Sequence, residues 1–275
     1  MILANHYRGG ETDEAVLAAA TSAHRLGMRV MLKPHIWVRG GQWIGEQQFA
    51  SEADWQRWFQ SYRVFILHYA ALAESAHIEW LAIGTELQHA SARDREGWHK
   101  LIGELRAAYH GRLTYAANWN EEGVVFWDLL DAVGVQEYEP VATRPDASLD
   151  ELRAGWRKIA ERLARLAKKT GKPILITELG YRATSNAALQ PSTWPEHDPT
   201  ARFDADAQAR CYRAALETLL ASPWCRGIYI WKWFTDSRDE EGPTDFSPAG
   251  KPAEKVLGEL YRGSERLKAV IKSLR

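Results

Sequence analysis

The chain has 275 residues, 45% of them hydrophobic and 26% charged, which is apolar material for one large core and predicts a single domain over 1–275. Lys plus Arg number 35 against 36 Asp plus Glu, and a net charge of -1 excludes electrostatic capture of nucleic acid or an anionic membrane; a neutral ligand suits that balance. The two cysteines, Cys211 and Cys225, cannot build a disulfide framework and are expected as thiols, and no zinc-site spacing is present. No apolar run is long enough to span a bilayer, and residues 1–8 are too short and polar for a signal peptide, so the chain as written is expected to be cytoplasmic.

Thr12 is the N-cap of a predicted helix over 13–26, with Val16, Ala20 and Ala23 at helical spacing and Gly27 as its end. A strand is predicted over 29–38. Ser51, with Asp54 three residues on, opens a long helix striped by Trp55, Trp58, Phe59, Tyr62, Phe65, Ile66 and Tyr69. Strand 78–84, helix 94–109, strand 113–117, a short helical stretch over 126–130 and strand 132–137 follow. Ser148 and Glu151 form a capping box for a helix running to about 169, closed by Gly171, and Pro173 leads into an apolar strand over 174–178. A helix over 205–221, a strand over 227–233, an acidic loop over 236–250 and a helix over 252–274 complete the chain.

Short apolar strands alternating with amphipathic helices predict an α/β fold with a parallel sheet wrapped by helices. No strand is followed by a GxGxxG turn or a Walker-type loop, which turns the expectation from a nucleotide-binding sheet to a (β/α)8 TIM-barrel type. Six strands are predicted rather than eight.

In such a barrel the reactive groups stand at the C-terminal ends of the strands. Two predicted strands run into a Thr-Glu-Leu step, at Thr85-Glu86-Leu87 and Thr177-Glu178-Leu179. A glutamate there is costly to bury unless it has a partner or a task, so each is either half of an ion pair or a functional group. Paired carboxylates suit glycosidic cleavage, one protonated to assist the leaving oxygen and the other ionised to attack. A separation of about 5–5.5 Å would mean retention of configuration and about 6.5–9.5 Å inversion, a choice the sequence leaves open.

The 13 tryptophans divide by position. Trp55, Trp58, Trp98 and Trp156 lie along predicted helices and are expected in the core. Trp37, Trp43, Trp119, Trp194, Trp231 and Trp233 fall at strand exits or in the loops beyond, where indoles can pack on the C–H faces of sugars. Lys33, His35, Asn118, Trp119 and Tyr138, also at strand exits, are candidates to hydrogen-bond sugar hydroxyls or to orient the glutamates. No cofactor and no catalytic metal are expected, because no cluster of His, Cys and acidic residues has ligand spacing.

Five segments together resemble glycoside hydrolase family 113. They are Val30-Met31-Leu32-Lys33-Pro34-His35-Ile36-Trp37, Ile83-Gly84-Thr85-Glu86-Leu87, Thr177-Glu178-Leu179-Gly180-Tyr181, Gly227-Ile228-Tyr229-Ile230-Trp231-Lys232-Trp233-Phe234, and Asp245-Phe246-Ser247-Pro248-Ala249-Gly250-Lys251-Pro252-Ala253. That family, of the clan A barrels, includes β-1,4-mannanases and uses a retaining mechanism, with the acid/base ending strand four and the nucleophile ending strand seven. The resemblance implies Glu86 as acid/base, Glu178 as nucleophile, Tyr138 as a hydrogen-bond partner of the nucleophile, and Trp231 or Trp233 as the floor of the subsite where the bond breaks. Clan A enzymes often carry Asn before the acid/base, where it binds the sugar 2-hydroxyl; this chain has Thr85. The numbering further implies that strands one and two are missing, with residues 1–8 resembling part of the loop after strand two. The expected partner is an oligo- or polysaccharide, cleaved internally; the alternative is a non-catalytic carbohydrate-binding remnant of such a barrel.

Overall fold

A computed structural model describes residues 12–194, 197–198, 201–234 and 242–263, grouped into two compact units, Met1–Gly134 and Val135–Arg275. In the first, helix α1 (Asp13–Arg25) is capped by Thr12, whose hydroxyl accepts from the Ala15 N–H at 3.2 Å. Strand β1 (Met31–Leu32), helix α2 (Glu52–Ser75), strand β2 (Trp80–Thr85), short helix α3 (Gln88–Ser91), helix α4 (Arg95–Ala108) and strand β3 (Arg112–Asn118) follow, with 3-10 turns at Ile44–Glu46 and Trp127–Leu129. Strands β1, β2 and β3 pair in parallel and in chain order, with Leu32 opposite Leu81 and Leu81 opposite Leu113. Strand β4 (Val133–Glu137) begins in this unit.

The apolar stripe of α2 lands on the sheet, where Tyr62, Tyr115, Trp98 and Phe126 are essentially inaccessible to solvent. Burying tyrosines requires partners for their hydroxyls. Tyr62 donates to the Ile83 carbonyl at 2.5 Å and Tyr109 to the Ile78 carbonyl at 2.7 Å. Gly84 marks how close this packing is, since a Cβ there would lie 2.9 Å from both the Tyr62 hydroxyl and Leu87 Cδ1. Trp55 and Trp98 are buried, and Trp58 stacks on Tyr62 with ring centroids 4.9 Å apart, the core role expected of them.

In the second unit β4 leads to α5 (Leu149–Thr170), β5 (Ile174–Leu179), α6 (Ala205–Ala221), β6 (Cys225–Ile230) and α7 (Pro252–Gly263). The Ser148–Glu151 capping box forms as the sequence implies, and Gly171 takes the left-handed conformation, φ +67°, that ends α5. Trp156 is fully buried; Cys211 and Cys225 are free thiols, and burial pushes the Cys211 thiol up to about 12.

Three boundaries differ from expectation. The strand over 29–38 shrinks to two residues, because Pro34 has no N–H to give the ladder and the chain leaves the sheet there. The strand over 227–233 starts at Cys225 and stops at Ile230; its last register partner is Leu179, so Trp231 and Trp233 stand beyond the strand end. The 3-10 turn at Ile44–Glu46 and helix α3 are not visible in the periodicity. The predicted helix to 274, the first part of the loop over 236–250 and the N-terminal residues 1–8 lie wholly or partly outside the described residues. Among the described residues six parallel strands alternate with helices, the repeat from which (β/α)8 barrels are made. Among the described residues no helix is long and apolar enough to cross a membrane.

Candidate active site

In the first unit the chain leaves β2 through Glu86, which takes a left-handed backbone, φ +53°. That conformation is disfavoured for a residue with a Cβ and needs support. The Glu86 N–H donates to the Ala116 carbonyl at 2.9 Å and the next N–H, of Leu87, donates to the Tyr115 hydroxyl at 2.7 Å. The turn leaves Glu86 only 8% exposed. The Asn118 side-chain amide donates to Glu86 Oε1 at 2.8 Å, and the Trp43 indole N–H donates to Oε2 at 2.6 Å. Gly45 makes the second contact possible, because a Cβ there would lie 2.4 Å from the Trp43 ring.

The predicted ligand contacts of this unit fall around three strand exits. Lys33, His35 and Trp37 follow β1, and His35 stacks on Trp37 with centroids 4.9 Å apart. Burial, aided by the Lys33 charge, pushes the His35 imidazole down to about 3, so it is neutral at ordinary pH and able both to donate and to accept. Trp37 is 70% exposed, a free indole face. Thr85 is buried and its hydroxyl faces the Pro34 carbonyl at 3.4 Å, so it packs against the β1 exit. Asn118 ends β3 and touches Glu86, while Trp119 is half-buried beside it.

In the second unit Glu178 sits inside β5, one residue before its end, and is 5% exposed. The Tyr138 hydroxyl, just past β4, donates to Glu178 Oε2 at 2.7 Å. Glu137, one residue earlier, belongs to a different arrangement: Arg162 of α5 donates to it at 2.7 Å and to Glu139 at 3.0 Å. Burial nonetheless raises the Glu137 carboxyl to about 7, against the pull of Arg162.

Gly180 is required where β5 ends, since a Cβ there would lie 2.5 Å from the Trp231 carbonyl oxygen. That close approach, with the Trp231 N–H donating to the Leu179 carbonyl at 2.9 Å, brings the β6 exit against the β5 exit. Trp231 is half-buried and meets Trp194 edge to face at 6.3 Å; the Lys232 ammonium lies 4.8 Å from the Trp194 ring centre; Trp233 is 50% exposed. The Trp231–Lys232 peptide is cis. The Asp245–Ala253 segment is structural: Asp245 and Ser247 are fully buried, Lys251 donates to Asp245 at 2.5 Å, and the Ala183 N–H donates to the Asp245 carbonyl at 3.1 Å.

Sequence reasoning placed Trp43 on the rim without foreseeing its bond to Glu86, and missed Glu121. That carboxylate accepts from the Tyr115 hydroxyl at 2.6 Å, the Asn118 N–H at 3.1 Å and the Ser91 hydroxyl. The available signal was its place three residues after a strand-end Asn, where the turn closed by the Glu121 N–H on the Asn118 carbonyl folds it back. Among the described residues no group of three His, Cys, Asp or Glu could hold a metal ion.

Solved structures of known activity share this fold. A GH113 β-1,4-mannanase, determined as a complex, is 28% identical over 91% of this chain and 79% of its own, with a TM-score of 0.78. The GH113 β-mannanase of Alicyclobacillus acidocaldarius, in complex with ManMIm, is 29% identical over 94% of this chain and 79% of its own, at a TM-score of 0.78. A fungal β-1,4-galactanase structure shares the fold alone, at 14% identity, a TM-score of 0.60 and coverage of 94% and 85%. No curated protein sequence matches significantly. The profile of Glycoside Hydrolase Family 113 matches residues 5–251, nearly the whole chain, and the chain belongs to that family.

Proposed function

We propose that this chain is a retaining, endo-acting glycoside hydrolase of β-1,4-mannan or a related β-linked polysaccharide, with Glu86 as acid/base and Glu178 as nucleophile. The observation that carries the assignment is how the two strand-end glutamates are held. Each is buried and bonded by uncharged donors, Trp43 and Asn118 on Glu86 and Tyr138 on Glu178. These donors orient the two carboxyls, one to exchange a proton with the glycosidic oxygen and the other to attack the anomeric carbon.

In the first step Glu86 gives its proton to the glycosidic oxygen while a Glu178 oxygen bonds the anomeric carbon and the C–O bond to the leaving sugar breaks. In the second, Glu86 takes a proton from water, whose oxygen displaces Glu178 and regenerates both groups. Trp231 or Trp233 floors the subsite of cleavage; Lys33, neutral His35, Trp37, Asn118 and Trp119 bind sugars, and Thr85 supports the β1 exit. Mannan activity is supported by the neighbouring GH113 mannanases. Replacing Glu178 by Ala should lower hydrolysis of β-mannan by roughly 10⁴-fold or more. Azide should then restore part of the turnover as a glycosyl azide. Unimpaired hydrolysis by this variant, or saccharide binding without hydrolysis by the unmutated chain, would sink the reading.

A further inference from the structure

The mechanism does not use Glu121, a half-buried carboxylate of the first unit. Glu121 stands behind Glu86 and reaches it by two routes. Through Oε2 it accepts the Asn118 N–H at 3.1 Å, and the amide of the same residue donates to Glu86 at 2.8 Å. Through Oε1 it accepts the Tyr115 hydroxyl at 2.6 Å, and that oxygen accepts the N–H of Leu87, adjacent to Glu86, at 2.7 Å. Ser91 supplies a third donor.

We infer that Glu121 is the positioning residue of the acid/base, fixing both the left-handed turn at Glu86 and the amide that grips its carboxyl. The inference rests on the reading of Glu86 as acid/base. Three donors converging on one carboxyl group suit its ionised form, which can only accept. Burial keeps the Tyr115 hydroxyl protonated, so the chain from Glu121 through Tyr115 to Leu87 runs in one direction. The titratable groups facing Glu121 among the described residues are Tyr115 on β3 and Glu86 beyond β2; burial, and in smaller measure Glu86, raises its carboxyl above the ordinary value, and the three donors oppose that rise. The effect is reciprocal: a negative charge on Glu121 makes Glu86 hold its proton more tightly, as an acid serving a poor leaving group requires.

The test compares kcat/KM for a manno-oligosaccharide, whose leaving sugar needs protonation, with that for a dinitrophenyl β-mannobioside, whose leaving group does not. In Glu121→Gln the first should fall about tenfold and the second stay within about twofold, with the alkaline limb of the oligosaccharide profile moved to lower pH. Tyr115→Phe keeps the buried ring, cuts one route only, and should show the same selective loss in smaller measure. Equal losses on both substrates, or none on either, in whichever of the two variants folds would overturn the inference. Glu86→Gln, assayed in parallel, separates the failures. If it spares the dinitrophenyl substrate and Glu121→Gln does not, Glu121 has no positioning role; if it loses both alike, the acid/base reading itself falls.

Discussion

The exit of β2 and the exits of β4 and β5 each deliver buried glutamates, but they hold them by different physics. Glu86 lies outside its strand, in a left-handed turn, and a layered set of side chains supports it: Trp43 and Asn118 at the carboxyl, Tyr115 at the next peptide, Glu121 behind. Glu178 lies within the regular backbone of β5, where the strand itself aims the carboxyl and Tyr138 bonds it. Glu137, ending β4, is tied to a guanidinium. Glu86 is thus surrounded by a polar network, Glu178 is carried by the ladder, and Glu137 has a cation beside it. Strand-end placement alone does not separate these arrangements; the backbone at each carboxyl does, a left-handed turn for Glu86 and regular strand for Glu178.

The largest effect that could break the comparison belongs to Glu86. Glu86→Gln should reduce kcat/KM on manno-oligosaccharides by about 10²–10⁴-fold. A loss below tenfold would remove the distinction drawn for the β2 exit.

Arg162→Met tests the structural glutamate. The folded-state pKa of Glu137 lies above its ordinary value, at about 7, so the stability it contributes is present at low pH and lost as pH rises through 7. Without Arg162 the carboxylate formed at high pH is a buried, poorly paired charge. Thermal melts should therefore show a destabilisation of about 3–5 kcal/mol at pH 8 and clearly less at pH 5. Equal destabilisation at both would mean that packing of the arginine stem, not charge, is what matters.

The smallest effect of these three is expected at Tyr138. A hydrogen bond to a charged group is worth about 1.5–3 kcal/mol, so Tyr138→Phe should cost about 10–100-fold in kcat with little change in melting temperature. Unchanged kcat would show that Glu178 is oriented without the Tyr138 bond.

Much of the fold was legible because helix caps and apolar periodicity are local. Thr12, Ser51, Ser148 and Gly171 mark helix ends where the sequence implies, since each satisfies or closes a backbone within a few residues of itself. Strand lengths were less legible: β1 is cut short at Pro34 and β6 stops at Ile230, because ladder bonds depend on a neighbour distant in sequence. The two Thr-Glu-Leu steps and the split between helical and rim tryptophans were readable from position.

What the sequence by itself determined is the alternation of elements, the family, and the two glutamates at the ends of β2 and β5. Tertiary structure decided what each strand-end carboxyl touches. Trp43 lies 43 positions from Glu86 and Tyr138 lies 40 from Glu178, separations over which no local pattern predicts contact. Arg162 on Glu137 and Ser91 on Glu121, 25 and 30 positions apart, were settled the same way, by packing that brings one polar group to another.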